Sequence, residues 1–340
     1  MNLTEEKING LKALLQAATR VAVLSHTHPD GDALGSTAGL CIFLTEKLGK
    51  TVTCLLPDTP PEHLHFLLAP GVPYFFHDRQ PREAREAVQA ADLVILLDCN
   101  AFRRTEGLEA SLKESPAPKI LIDHHLNPDS ESFSLVFSTP EISSASELLY
   151  WILKTAYGPV DVPTGEALLA GMTTDTNNFA NSVYPSTFQM ASELIAAGVN
   201  RDAILQKIYW SYRENRVRLL GYMQGEPLHI LPCGASYMIL TRAIQQRFDL
   251  REGESEGLVN MPMAIAQVRL SLLIKEEEDG IFRVSARSKS GTSAQNLAQR
   301  YFHGGGHENA AGGKIIPGED FTPAQGIEAY VQHVLTEYMP

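Results

Sequence analysis

The chain has 340 residues, 44% of them apolar and 20% charged, with a net charge of −12. That length fits two domains, and that composition excludes wholesale disorder. The negative balance argues against a protein that grips long nucleic acid by neutralising many phosphates, but small anionic substrates stay open because bound cations reverse a local field.

Thr4 opens a helix with Leu11, Leu14 and Leu15 on one face. Before it, Met1 to Lys7 lacks the basic start and apolar run of a signal peptide. No apolar stretch approaches the roughly 20 residues of a membrane helix, so a cytoplasmic protein without a membrane partner is expected. Cys41, Cys54, Cys99 and Cys233 form no CxxC pair and read as reduced core residues.

Val21 to Leu24 reads as a buried strand and Leu34 to Leu48 as a helix. Ser25-His26-Thr27-His28-Pro29-Asp30-Gly31-Asp32 is therefore expected as a loop at a strand's carboxyl end, where open α/β sheets place their ligands. Pro29 and Gly31 let the backbone turn between the aspartates. His26, Asp30 and Asp32 suit a divalent cation with mixed nitrogen and oxygen ligands. The alternative is plain capping of the next helix.

Thr51 to Leu56 reads as a second strand, Pro57 to Pro73 as a proline-rich connection whose H-x-H pair, His63 and His65, reads as a loop rim or partly buried contact ahead of a metal role, and Arg82 to Ala91 as a helix. Two short apolar runs, Asp92 to Leu97 and Lys119 to Ile122, end on Asp98 and Asp123. Ser143 to Ala156 and Thr164 to Thr176 read as helices, the second carrying Asp175. Beyond it, Phe179 and Tyr184 offer a base-stacking face or core packing. This βαβ rhythm predicts an α/β fold, a parallel sheet covered on both faces. Acids at strand ends then share one edge, and clustered carboxylates repel unless protonated or neutralised by cations. Asp123-His124-His125 adds two imidazoles to that edge.

Ser186 to Ala197 reads as a helix that stops at Gly198, and Arg201 to Gln224 as one long connecting helix. From about Pro227 the character changes. Leu228 to Leu231, Ala235 to Thr241, Ala264 to Lys275 and Ile281 to Ala286 read as strands, with Asp279-Gly280 as a hairpin turn. Ser293 to Phe302 and Thr322 to Tyr338 read as helices. The expected organisation is a metal-binding domain over 1–198, a connecting helix over 199–226 and a smaller α+β domain over 227–340.

Four segments then occur in a telling order: His26-Thr-His-Pro-Asp30-Gly-Asp32-Ala-Leu-Gly-Ser, Leu97-Asp98-Cys99, Asp123-His124-His125 and Gly171-Met-Thr-Thr-Asp175-Thr176. They resemble the four motifs of DHH-family phosphoesterases. Arg287-Ser-Lys-Ser and Gly304-Gly305-Gly306-His307-Glu-Asn-Ala-Ala-Gly312-Gly313 resemble the family's associated C-terminal domain. The resemblance spans nearly the whole chain. It is strongest to the branch that cleaves short oligonucleotides to mononucleotides and removes phosphate from 3′-phosphoadenosine 5′-phosphate.

That resemblance implies a doubly wound parallel sheet plus a smaller substrate-binding domain. It implies two divalent cations, manganese first with magnesium or cobalt as alternatives, activating hydroxide for attack at phosphorus. Carried over by motif, His26, Asp30 and Asp98 hold one ion; Asp32, Asp98, His124 and Asp175 hold the other, with Asp98 bridging. His125 is left to orient the site or to protonate the leaving oxygen. Arg287 and His307 take a substrate phosphate, the backbone of Gly304, Gly305 and Gly306 approaches it, and Arg104, Ser288 and Lys289 line the anion pocket. The implied substrates are short single-stranded RNA or DNA and phosphorylated nucleotides, and a homodimer stays open. Two rivals remain: a phosphodiesterase of cyclic or linear dinucleotides, and a nucleotide-binding regulator without catalysis. An inorganic pyrophosphatase or polyphosphatase is more distant.

Overall fold

The computed structural model describes residues 3–339. It divides into two compact units, Met1–Ser211 and Tyr212–Pro340; Met1, Asn2 and Pro340 lie outside the described residues.

In chain order the first unit comprises α1 (Glu5–Ala17), β1 (Arg20–Leu24), α2 (Gly31–Ile42), β2 (Thr51–Leu56), β3 (Tyr74–Phe76), α3 (Pro81–Ala90), β4 (Leu93–Leu97), α4 (Glu109–Glu114), β5 (Lys119–Asp123), β6 (Leu135–Ser138), α5 (Ala145–Tyr157), α6 (Val162–Asp175), α7 (Pro185–Ala196) and α8 (Arg201–Tyr209). The strands form one parallel sheet in the order β3-β2-β1-β4-β5-β6. This is the doubly wound order, whose switch point falls between β1 and β4.

Why these segments are central strands follows from two-sided burial. Val21 and Val23 of β1 join one core with Leu93, Ile95 and Leu97 of β4 and Ile120 and Ile122 of β5. The alternate residues Ala22, Leu24, Val94, Leu96 and Leu121 join a second core on the opposite face. A continuous apolar run serves both faces because side chains alternate across a strand.

The sequence reading missed β3 and β6. Both are short edge strands, three and four residues long, too brief for periodicity to register.

The second unit comprises α9 (Glu214–Met223), β7 (Leu228–Ile230), β8 (Ala235–Leu240), α10 (Arg242–Arg247), β9 (Leu270–Glu276), β10 (Phe282–Ser288), α11 (Ala294–Tyr301), β11 (Gly305–His307), β12 (Ala310–Ile315) and α12 (Gly326–Tyr338). Its mixed sheet runs β11-β12-β10-β9-β8-β7. The β9–β10 hairpin turns at Asp279-Gly280 as expected, with Gly280 at φ 81°.

Two expectations in this stretch need correction. The strand proposed from Ala264 begins only at Leu270, because the preceding amides are used in local turns, Ile265 to Pro262 O and Val268 to Ile265 O. The single connecting helix over 199–226 is two helices, α8 and α9. Arg213 breaks it in an extended conformation (φ −63°, ψ 147°). Its guanidinium pairs with Asp249 at 2.5 Å and Glu254 at 3.2 Å, while Arg216 stacks 3.7 Å above the Tyr212 ring. The Arg213 ion pairs reach 36 and 41 residues along the chain, so no local breaker marks the site.

Candidate metal centre

The switch point brings two strand ends together. His26 follows β1, and Asp98 follows β4 with a left-handed φ of 53°. A non-glycine residue takes that conformation at a cost that surrounding structure must hold in place. Here Asp98 N donates to Ile122 O of β5 at 3.0 Å, and Ser25 Oγ donates to Leu97 O at 2.8 Å. The turn sets the Asp98 carboxylate between two imidazoles. His26 donates Nδ1–H to Thr27 O at 2.7 Å, which leaves Nε2 facing Asp98 Oδ2 at 3.3 Å. His124 Nε2 lies 3.2 Å from Asp98 Oδ1 and 3.6 Å from Asp175 Oδ2.

Donor atoms of His26, Asp30 and Asp98 all lie within 4.8 Å of one another, as do those of Asp32, His124 and Asp175, and those of Asp98, His124 and His125. The six residues that the sequence offered as ligands thus form two adjoining groups joined through Asp98 and His124.

The aspartates of the first motif correct one expectation. Asp32 is not on a loop: α2 starts at Gly31, three residues before the helix read from the sequence, so Asp32 lies in its first turn. Asp30 is the cap, and its Oδ1 accepts from the amides of Asp32 and Ala33 at 3.0 Å each. Capping and clustering therefore coexist in Asp30. Asp32 is gripped from far away in sequence: its oxygens accept Ala145 N at 2.7 Å and Ser146 N at 3.0 Å. These are the orphan amides of the α5 N-terminus, where a carboxylate also meets a favourable helix dipole.

Asp175, the last residue of α6, arrives because α2 and α6 pack backbone to backbone. A Cβ built on Gly35 would lie 2.7 Å from Ala167 O and from the Gly171 backbone. Only hydrogen at these positions permits that approach.

Burial makes this edge electrostatically tense. Asp32, fully buried, is pushed up to about 7, first by desolvation and then by the charge of Asp98. Asp175 is raised well above the carboxylate range, by burial and then by Asp32. Burial would also raise Asp98, but the adjoining imidazoles of His124 and His26 outweigh it and hold that carboxyl well below its usual range. His124 moves up to about 10, burial being overcome by Asp98.

The protein supplies too little positive charge for four clustered carboxylates. Asp98 Oδ1 is buried without a well-aligned hydrogen bond, although His124 faces it. The donor set and this orphaned oxygen fit divalent cations of the harder, oxygen- and imidazole-preferring kind.

Around the cluster, His125 donates Nδ1–H to Asp123 Oδ1 at 2.8 Å, and Arg104 Nη1 meets its Nε2 at 3.3 Å. Fully buried Asp123 also accepts the His125 amide. Asp58, which the sequence reading did not single out, accepts Thr27 Oγ1 at 2.5 Å and His28 N at 2.6 Å and so pins the His26 loop. Nothing local marked Asp58, which lies 31 residues from Thr27. Exposed His28 stays outside the three donor groups, and His65 ties its own loop through Nε2 to Pro60 O at 2.9 Å.

In the second unit, Ala310 of β12 is the register partner of both Arg287 on β10 and His307 on β11. Laterally aligned residues point to one face, so Arg287 and His307 share a face about 10 Å apart, two strand spacings. Gly304 to Gly306 is not the tight turn that a glycine run suggests. Gly305 and Gly306 belong to edge strand β11, and a Cβ on Gly306 (φ 142°) would sit 2.7 Å from Ala310 O.

Arg287 is half-buried, and desolvation lowers its guanidinium below the usual value. Its side chain donates to Ala286 O at 3.0 Å and has no acidic partner among the described residues. Ser288 and Lys289 are otherwise engaged. Ser288 Oγ accepts from Ala294 N and Asn309 Nδ2, and Lys289 Nζ donates to Ile265 O at 2.9 Å. Both tie the sheet to neighbouring backbone, which argues against their expected place in an anion pocket.

The chain is similar to known proteins over most of its length. A model of the DHH family N-terminal domain matches residues 20–174, and a model of the DHHA1 domain matches residues 236–325. A probable bifunctional oligoribonuclease and PAP phosphatase, NrnA, of Streptococcus mutans is 28% identical over 305 residues, covering 88% of this chain and 91% of that protein. A cyclic-di-AMP phosphodiesterase, GdpP, of Geobacillus thermodenitrificans is 27% identical over 322 residues, covering 89% of this chain but 46% of that protein. The crystal structure of an exopolyphosphatase-related protein from Bacteroides fragilis matches with a TM-score of 0.91 at 32% identity, covering 100% of this chain and 98% of that one.

Proposed function

The chain belongs to the DHH family of phosphoesterases, and from that premise we propose that it is a manganese-dependent hydrolase of short oligonucleotides and of 3′-phosphoadenosine 5′-phosphate. The observation that carries the reading is the pair of donor groups, one of His26, Asp30 and Asp98 and one of Asp32, His124 and Asp175, linked by the 3.2 Å approach of His124 Nε2 to the buried Asp98 Oδ1. His26, Asp30 and Asp98 would hold one cation; Asp32, Asp98, His124 and Asp175 would hold a second. Once bound, such a pair lowers the pKa of an attacking water and offsets charge developing at phosphorus.

The chain's own groups do the rest. The α5 N-terminus fixes Asp32, and the Thr27 carbonyl fixes the His26 ring, so the donors are set before a cation arrives. Asp123 orients His125, and His125 faces the Arg104 guanidinium, a donor suited to a phosphate oxygen. With Arg104 against Nε2, the role we assign to His125 is orientation rather than protonation of the leaving oxygen. Arg287 and His307 take the terminal phosphate of the substrate. A desolvated guanidinium with no carboxylate partner among the described residues supports that role, since a phosphate would supply the missing charge.

The net charge of −12 favours short substrates, because little outside the site attracts a polymer. No helix among the described residues is long and apolar enough to cross a membrane. The likeness to GdpP keeps a second reading open, hydrolysis of a cyclic dinucleotide or its linear product. The test is a manganese-supplemented assay on a linear dinucleotide, 3′-phosphoadenosine 5′-phosphate, cyclic di-AMP and a long single strand. Turnover of the first two above the others is expected. Preferential opening of the cyclic compound would replace the first reading with the second, and manganese binding without turnover of any of them would overturn both.

A further inference from the structure

The segment after Asp175 is strained out of proportion to its length. Asn177, Asn178, Phe179 and Ser182 all have left-handed φ values, 46°, 56°, 67° and 50°. For a bulky residue such as Phe179 this is a true outlier, and such strain persists only where surrounding contacts enforce it. Here Thr176 Oγ1 accepts the Phe179 amide at 3.1 Å, and Thr173 O accepts the Asn178 amide at 2.8 Å. Arg201 donates to Asn178 Oδ1 at 2.7 Å and lays its guanidinium 5.8 Å from the Phe179 ring centre.

The enforced turn presents an aromatic pair. Phe179 stacks on Phe188 with ring centres 5.4 Å apart and planes at 20°. Phe188 is 53% exposed, which a core-packing role would not leave. Its place in the fold is fixed by a short chain of contacts to the acid edge. The neighbouring Thr187 donates to buried Glu147 Oε2 at 2.7 Å, Glu147 lies in the first turn of α5, and the amides of that turn grip Asp32. The exposed amides Asn177, Asn178 and Asn181 lie on the same turn.

An open aromatic face, a guanidinium behind it and side-chain amides beside it are what an unstacked nucleobase needs. We propose that Phe188, stacked on Phe179 and backed by Arg201, is a nucleobase shelf at the rim of the acid cluster. It rests on the hydrolase reading above and adds to it a reason for choosing nucleotides over other phosphate esters. Stacking tolerates every base, so the shelf confers preference for a base without sequence selectivity.

The experiment compares a linear dinucleotide with the same phosphodiester carrying an abasic sugar on each side, in wild type, Phe188→Ala and Phe188→Trp. Wild type is expected to have a KM for the dinucleotide about tenfold below that for the abasic compound. Phe188→Ala should lose that preference with kcat for the dinucleotide held, and Phe188→Trp should restore it. Equal KM values in wild type, or a Phe188→Ala preference equal to that of wild type, would overturn the shelf. So would a change of subunit number in Phe188→Ala on sedimentation, because the ring would then belong to an interface between copies. If wild type turns over neither compound, the hydrolase reading fails by itself. The shelf is then read from the indole fluorescence of Phe188→Trp, which dinucleotide quenches and the abasic compound does not; equal quenching by both would overturn it.

Discussion

In the parallel sheet of the first unit, Asp98 is buried between two imidazoles and crowded by Asp30, Asp32 and Asp175. In the mixed sheet of the second unit, Arg287 is half-buried with no carboxylate against it among the described residues. One region gathers negative charge beyond what its own cations offset; the other strands a cation. A desolvated charge is tolerated only when something compensates it, so each region asks for a partner of opposite sign. Divalent cations would answer the first, and a phosphate the second. The physical difference lies in topology. Parallel strands deliver all their carboxyl ends to one edge, whereas the mixed sheet sets its two basic residues side by side across strand β12.

The sharpest way to break that comparison is Asp98→Asn. Removing the carboxylate proposed to bridge both cations should lower manganese-dependent turnover of a dinucleotide by well over the roughly hundredfold typical of groups that merely support a ligand. Manganese affinity measured by calorimetry should fall with it. Unchanged manganese binding would mean that Asp98 holds neither cation. Arg287→Ala comes next: loss of a charge-assisted hydrogen bond predicts a KM raised about 10- to 100-fold. Manganese affinity should stay as in wild type. A fall in manganese affinity instead would erase the division of labour between the sheets.

Gly35→Ala tests how the acids were assembled. Its new methyl would push α6 away from α2, with about 1–3 kcal/mol of lost stability. A lower melting temperature and weaker manganese binding should appear together; weaker binding at an unchanged melting temperature would break that link.

The smallest effect is with pH. Asp32 is raised to about 7 from a reference near 3.8, so between those values the metal-free fold binds a proton that the unfolded chain has released. That group's contribution to the stability of the metal-free fold is thus full below about 4 and is lost as pH rises to about 7. A bound cation removes that penalty and need not displace a proton at higher pH. The rise in melting temperature on adding manganese should therefore grow from pH 5 to pH 8. A flat difference across that range would contradict the tension assigned to Asp32.

Much of this was legible along the chain. Continuous apolar runs such as Leu93 to Leu97 announced buried parallel strands, because burial on both faces leaves no polar alternation. Acids placed just beyond those runs announced a shared edge, because parallel strands end together. What the chain did not disclose depended on long-range contacts. Asp32 is held by amides 113 and 114 residues away, and the break at Arg213 is set by Asp249 and Glu254. The glycine at position 35 read only as part of a motif until α6 lay against it. Side-chain identity and order therefore determined the fold class and the candidate ligands. Only the folded chain decided their exact partners, because hydrogen bonds, desolvation and backbone approach arise between segments that have no sequence proximity to signal them.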